Sequence, residues 1–191
     1  MTAALLVMDV QNGIVARYAE DSGLLDRLEL AVAAAREAGV PVIFVRVGFR
    51  AGFPEVAAAN KSFSAIAATA GSSGAFSETA PETQIHSRVA PLAGEAVVVK
   101  KRVSAFAGSD LAEVLRGGKI DTLVLSGIAT SGVVLSTLRQ AADLDFRLVV
   151  LEDACGDSDP EVHRVLTTKV FPRQADVTTV AAWAAGIKNG S

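Results

Sequence analysis

The sequence predicts an α/β protein, a doubly wound three-layer sheet of about five or six parallel strands with helices on both faces. Two observations predict it. Short runs of Val, Ile and Leu recur along the chain as strands buried on both faces would, and alanine-rich segments with apolar residues at helical spacing lie between them. The composition agrees: of 191 residues, 50% are hydrophobic and 20% charged, enough for one sizeable core, so residues 1–191 are read as a single domain.

Residues 3–10 (AALLVMDV) form the first strand, with Asp9 at its C-terminal end. Residues 24–38 place Leu24, Leu25, Leu28, Val32 and Ala35 on one helical face, and Gly39 supplies the stop. Pro41 then opens VIFVRVG, the second strand, completing a unit of strand, helix and strand that demands a right-handed crossover between parallel neighbours. From 49 to 94 the periodicity fades into Ser, Gly, Ala and Pro, the composition of a long cover loop carrying short helical pieces. Residues 96–100 (AVVVK) are the third strand and 111–115 a short helix. Residues 122–126 (TLVLS) are the fourth strand, and 133–144 a longer helix. Residues 147–153 (RLVVLED) are the fifth strand. Asp159 before Pro160 reads as an N-cap and first-turn proline for a helix to residue 170. A short strand at 175–178 and a helix around Trp183 close the chain.

Charge narrows the partners. A net charge of −3, with no basic cluster larger than Lys100, Lys101 and Arg102, disfavours nucleic acid and anionic membranes and leaves a small molecule as the expected partner. No apolar run reaches the ~18 residues of a membrane span, and no basic leader precedes the first strand, so a cytoplasmic chain is expected. The lone Cys155 excludes an intramolecular disulfide and suits a reducing compartment.

In doubly wound sheets ligands bind beyond the carboxyl ends of the strands. Three segments lie there: Asp9 to Asn12, Lys100 to Phe106, and Gly127 to Val134. If their strands are neighbours, a carboxyl group, an ammonium and a turn with backbone N–H donors meet, which is a set for acid/base chemistry and for stabilising an oxyanion.

D-x-Q after the first strand, K-x-R-x-S-A-F after the third and G-x-x-T before a helix, in that order, resemble the isochorismatase-like, or cysteine hydrolase, superfamily over nearly the whole chain. The resemblance implies a Rossmann-like fold, no cofactor, and homodimers or homotetramers. It also implies a catalytic Asp, Lys and Cys, of which Asp9 and Lys100 match the first two. Counting from Gly127 and Thr130, Val133 stands in the nucleophile's place, and valine offers neither nucleophile nor proton. Isochorismatases also lack the cysteine and use the aspartate to protonate a vinyl ether before water attacks. Asp9 would then be the general acid and Lys100 its electrostatic partner. An adjacent ammonium lowers a carboxyl pKa, so the acid role requires desolvation by neighbours such as Phe106 or Phe49. The turn through Ala129, Thr130 and Val133 would supply the oxyanion donors, with a non-proline cis peptide near Ile128 and Ala129.

The remaining candidates carry bland readings beside functional ones. Gln11 orients Asp9's surroundings, contacts a ligand, or satisfies the first loop's backbone. Phe49 lines an apolar pocket or anchors the cover loop, as do Phe53 and Phe63. Arg50, with Arg46, binds a substrate carboxylate or is a solvated charge. Arg102 reads as a structural pair. No Asp-x-His pair follows the second strand, where relatives place metal ligands, so no metal is expected; His163 reads as exposed and His86 as ordering its loop. Cys155, beside carboxylates in DACGD, reads as a packed thiol rather than a replacement nucleophile. The function expected is Asp-dependent hydrolysis without a thiol. The alternatives are an inactive relative that binds a metabolite or protein, or an amidohydrolase driven by activated water.

Overall fold

The structure is a computed structural model and describes residues 2–18, 23–70 and 74–189. Its six strands are β1 (Ala3–Met8), β2 (Val42–Val47), β3 (Ala96–Lys100), β4 (Thr122–Ile128), β5 (Arg147–Gly156) and β6 (Asp176–Thr178). All pair in parallel in the order β3-β2-β1-β4-β5-β6. The order reverses between β1 and β4, so the crevice beyond their carboxyl ends is where such a sheet binds ligands.

Among the described residues there are seven helices: α1 (Asn12–Tyr18), α2 (Leu24–Glu37), α3 (Lys61–Ala70), α4 (Leu111–Gly117), α5 (Leu135–Asp143), α6 (Pro160–Val165) and α7 (Val180–Asn189). Alternate residues of β1 feed opposite cores, as the period of a strand requires. Ala4, Leu6 and Met8 pack with Leu111 and Leu115 of α4 and Leu138 and Ala141 of α5. Leu5 and Val7 pack with Leu28 and Val32 of α2 and with Trp183 of α7. The predicted three-layer α/β sheet is the one observed, at the upper end of the strand count.

The stretch from 49 to 94 holds more order than its periodicity predicts. It contains α3 and two 3-10 turns, Pro81–Thr83 and Ser87–Val89. It also has its own small core of Phe49, Phe53, Phe63 and Ala70, beneath the loop and outside the main sheet cores. The helix expected at 133–144 begins later. A π-type turn, Thr130–Val134, precedes α5 and carries a non-helical Gly132. The helix expected to residue 170 likewise divides into α6, a π-type turn Leu166–Val170 and a 3-10 turn Phe171–Arg173; Asp159 caps it through the N–H groups of Glu161 and Val162.

The strand β5 runs past Asp153 to Gly156. Its register against β4 jumps from Leu125 beside Val150 to Gly127 beside Cys155, so the segment between them bulges. Cys155 therefore lies within a strand, not beyond one.

Candidate active site

The site is built where β1 and β4 leave the sheet side by side. Register pairs Met8 with Gly127, so Asp9 and Ile128 emerge together. Asp9 turns the chain with a left-handed φ of 56°, a conformation that aspartate tolerates better than most residues. Gly127 is fixed by contact: a Cβ there would stand 2.0 Å from the Met8 carbonyl oxygen, and its φ is +132°. Only glycine lets the two backbones approach so closely.

Lys100 does not come from a neighbouring strand, as the sequence argument supposed; β2 lies between β1 and β3. The lysine is level with Val47 at the end of β2 and reaches past it, placing Nζ 2.9 Å from Asp9 Oδ2. The ammonium also donates to the Arg102 carbonyl at 3.0 Å. Both partners are enclosed, with Asp9 6% and Lys100 2% exposed.

Burial pushes the Asp9 carboxyl above its ordinary range, outweighing the charge and hydrogen bond of Lys100, which pull it down. The desolvation that a general acid needs is therefore present. Asp9 Oδ1 has no hydrogen-bond donor and is buried. One oxygen is held by the lysine and the other has no hydrogen-bond partner.

Gln11 is fully engaged. Its amide accepts from Val47 N–H at 2.9 Å and donates to the carbonyls of Val47 (2.9 Å) and Thr83 (2.8 Å). It continues the ladder beyond β2 and fixes the residue over which Lys100 reaches. Its backbone role takes every group its side chain has to offer.

The peptide Ile128–Ala129 is cis. Beyond it, the Ala129 carbonyl accepts from the N–H groups of Gly132 (3.0 Å) and Val134 (3.3 Å). The Ser131 N–H is taken by Asp157 Oδ2 at 2.7 Å. Thr130, wholly buried, shares a 2.8 Å hydrogen bond with His163 Nδ1. Val133 is buried in the core on the α4 and α5 side.

A family model described as the isochorismatase domain matches residues 3–182. The chain belongs to the isochorismatase family. It is 34% identical over 185 residues to the uncharacterized isochorismatase family protein YecD of Escherichia coli O157:H7, covering 94% of this chain and 93% of that one. It is 31% identical over 182 residues to the ureidoacrylate amidohydrolase RutB of Cronobacter sakazakii, covering 83% of this chain and 76% of that protein. Among solved structures, an isochorismatase family protein from Burkholderia thailandensis superposes with a TM-score of 0.82 at 28% identity, over 98% of this chain and 96% of that one.

Within this isochorismatase-family fold the other predicted residues disperse. Phe106 packs on Phe146, ring centroids 6.1 Å apart, in a segment tied to α5 through Ala105 N–H to Thr137 and Ser104 to Gln140. Phe49 is buried in the cover segment, tilted against Phe53 and edge-on to Phe63. Arg50 is 73% exposed, 3.5 Å from Glu55. Arg46 donates to the Glu78 carbonyl at 2.9 Å, and Arg102 to the carbonyls of Lys101 and Glu55.

His163 is a correction. It is half-buried against Thr130 rather than free on a charged helix face; α6 docks on the Thr130–Val134 turn, a placement that helical spacing alone does not reveal. Asp157, unremarked in the sequence, holds the same turn. Cys155 is buried, and burial first, with Asp153 and Glu152 adding, pushes its thiol up to about 12. Among the described residues no cluster of three or more His, Cys, Asp or Glu is placed to hold a metal ion, and no helix is long and apolar enough to cross a membrane.

Proposed function

We propose that this chain hydrolyses a small organic substrate with Asp9 as general acid and base, without a cysteine nucleophile. The observation that carries the reading is the division of labour at one carboxyl group. Lys100 holds Oδ2 at 2.9 Å, while Oδ1 is buried and without a donor. Burial raises the Asp9 carboxyl above its ordinary range, the direction a general acid requires.

On a vinyl ether, Asp9 transfers a proton to the terminal alkene carbon and an oxocarbenium forms. Water adds to the cation and returns its proton to the Asp9 carboxylate, and the hemiketal collapses to a ketone and an alcohol. Lys100 stabilises the carboxylate between the two transfers. Val133, at the position counted for the thiol, leaves no covalent step, and Cys155, with a thiol at about 12, is a poor substitute.

The test is turnover of isochorismate and simple vinyl ethers by the native chain and by Asp9→Asn. Activity that falls at least about a hundredfold in the variant supports the reading; no Asp9-dependent turnover on any member of the panel overturns it. Likeness to an amidohydrolase favours a second reading, in which Asp9 activates water against an amide. Carboxamides and ureides in the same panel separate the two.

A further inference from the structure

Lys100 holds the Asp9 carboxyl, and its other contact is a backbone carbonyl. Nζ lies 2.9 Å from Asp9 Oδ2 and donates at 3.0 Å to the Arg102 carbonyl. That carbonyl belongs to no strand or helix, since β3 ends at Lys100 and α4 begins at Leu111. Outside a ladder, a peptide keeps its direction only through the contacts that surround it.

Two anchors flank this one. On the side toward α5, the Ala105 N–H donates to Thr137 Oγ1 at 2.9 Å and the Ser104 hydroxyl to Gln140 Oε1 at 2.7 Å. The other anchor is the Arg102 side chain. Its guanidinium donates to the Lys101 carbonyl at 2.6 Å and to the Glu55 carbonyl at 2.8 Å, and its Cζ lies 5.9 Å from the centroid of the Phe63 ring. Glu55 and Phe63 both belong to the cover segment, and Phe63 is part of its small core. A planar fork can grip two carbonyls at fixed angles while its face meets a ring. The arginine therefore joins the peptide on its N-terminal side to the cover, and its own carbonyl receives the lysine.

We propose that Arg102 is a positioning residue for the Asp9–Lys100 pair: its side chain, seated against the cover segment, holds its own carbonyl at the point to which the Lys100 ammonium donates. The inference rests on the reading of Asp9 as acid and base. Arg102 acts through Lys100 and not on the substrate. Without the guanidinium contacts, residues 101–104 keep only the α5 anchor, the acceptor drifts, and the lysine loses the contact that aims it at Asp9 Oδ2. The charge and hydrogen bond of Lys100 pull the Asp9 carboxyl down against burial, so a looser lysine leaves that carboxyl higher.

The experiment titrates the full-length chain with labelled carboxyl carbons by NMR, the Asp9 signal being assigned by its loss in Asp9→Asn. The native chain, Arg102→Met and Arg46→Met are compared, and each is assayed on isochorismate and the vinyl ethers. Arg102→Met is expected to raise the Asp9 midpoint by about one pH unit and to lower kcat about tenfold with little change in KM. Arg46→Met removes a different guanidinium contact to the cover, at the Glu78 carbonyl, and is expected to leave the Asp9 midpoint where it is. A native midpoint in Arg102→Met overturns the proposal, as does an equal shift in Arg46→Met, because loosening the cover by any route would then suffice. A raised KM with native kcat also overturns it, by making the arginine a substrate contact, and so does a shifted midpoint with native kcat and KM. If Arg102→Met does not fold, Arg102→Lys keeps the charge but replaces the fork with a point donor; a smaller rise in the midpoint supports the proposal and a native midpoint overturns it. Absence of Asp9-dependent turnover in the native chain overturns the hydrolytic reading instead, and the titration then decides the coupling of Arg102 to the pair by itself.

Discussion

Lys100 Nζ meets Asp9 Oδ2 at 2.9 Å across the end of an intervening strand, with both side chains almost fully enclosed. A buried pair of this kind adds little net stability while both members are present, yet removing one strands the other. Lys100→Met is expected to lower stability by about 3–5 kcal/mol, and Asp9→Asn in the Lys100→Met background to recover part of the loss. Chemical denaturation of the four chains in the cycle measures both.

The same pair sets a pH dependence. Burial raises the Asp9 carboxyl above the unfolded value, so in the interval between those values the folded chain binds the proton that the unfolded chain has released. Stability therefore falls as pH rises through that interval and is flat in Asp9 above it. Under the proposed acid role kcat/KM declines over the same rise. Asp9→Asn is expected to remove this component of the slope in ΔG against pH, as denaturant titrations from pH 4 upward would record.

Gln11 joins three backbone groups at the end of β2. Gln11→Ala leaves the Val47 N–H without the acceptor it has here and takes one donor from each of the Val47 and Thr83 carbonyls, the latter keeping Arg46 at 3.4 Å, at an expected cost of about 2–4 kcal/mol. Gln11→Glu keeps the acceptor but loses both donated bonds and adds a charge, so it is expected to destabilise at least as much. Comparing their denaturation midpoints with the native chain tests the ranking.

How much of this was legible beforehand depends on how locally each feature is encoded. β1 is announced by an apolar run and α2 by its stripe from Leu24 to Ala35, because burial on two faces or on one leaves a periodic trace. Asp9 and the turn after β4 followed from their places at strand ends. The reach of Lys100 did not, since strand order is a property of the whole sheet. The core beneath residues 49–79 was equally hidden, its phenylalanines meeting from separate turns with no common period. The extension of β5 to Gly156 was masked by Glu152 and Asp153, polar residues that occupy a bulge. The contact between His163 and Thr130 depends on where α6 docks, which helical spacing alone does not fix.

Gly127 allows the switch-point strands to touch. Gly127→Ala would drive a methyl to 2.0 Å from the Met8 carbonyl oxygen at a φ of +132°, and the obstacle is backbone, which cannot swing aside. A loss of about 4 kcal/mol or more is expected, with separation of β1 from β4 at their carboxyl ends. Loss of amide protection along the β1–β4 pairing, read by hydrogen exchange on whatever fraction folds, would locate the damage, with Asp9, whose N–H donates to the Val45 carbonyl of β2 at 2.8 Å, keeping its protection.

Cys155 should be chemically silent. Its thiol is buried within β5, and burial with the nearby Asp153 and Glu152 holds it protonated up to about 12, so at pH 8 almost no thiolate is present to react. A disulfide reagent added to the native chain is expected to modify it only at the rate of unfolding, and stoichiometrically once denaturant is added. Cys155→Ser is expected to cost about 1 kcal/mol, since the hydroxyl enters an apolar site with one weak acceptor, the Leu125 carbonyl at 3.9 Å from the sulfur, and to leave Asp9-dependent turnover unchanged. Rapid labelling of the native chain with parallel loss of turnover would instead make the thiol the nucleophile and remove the ground for a reaction centred on Asp9.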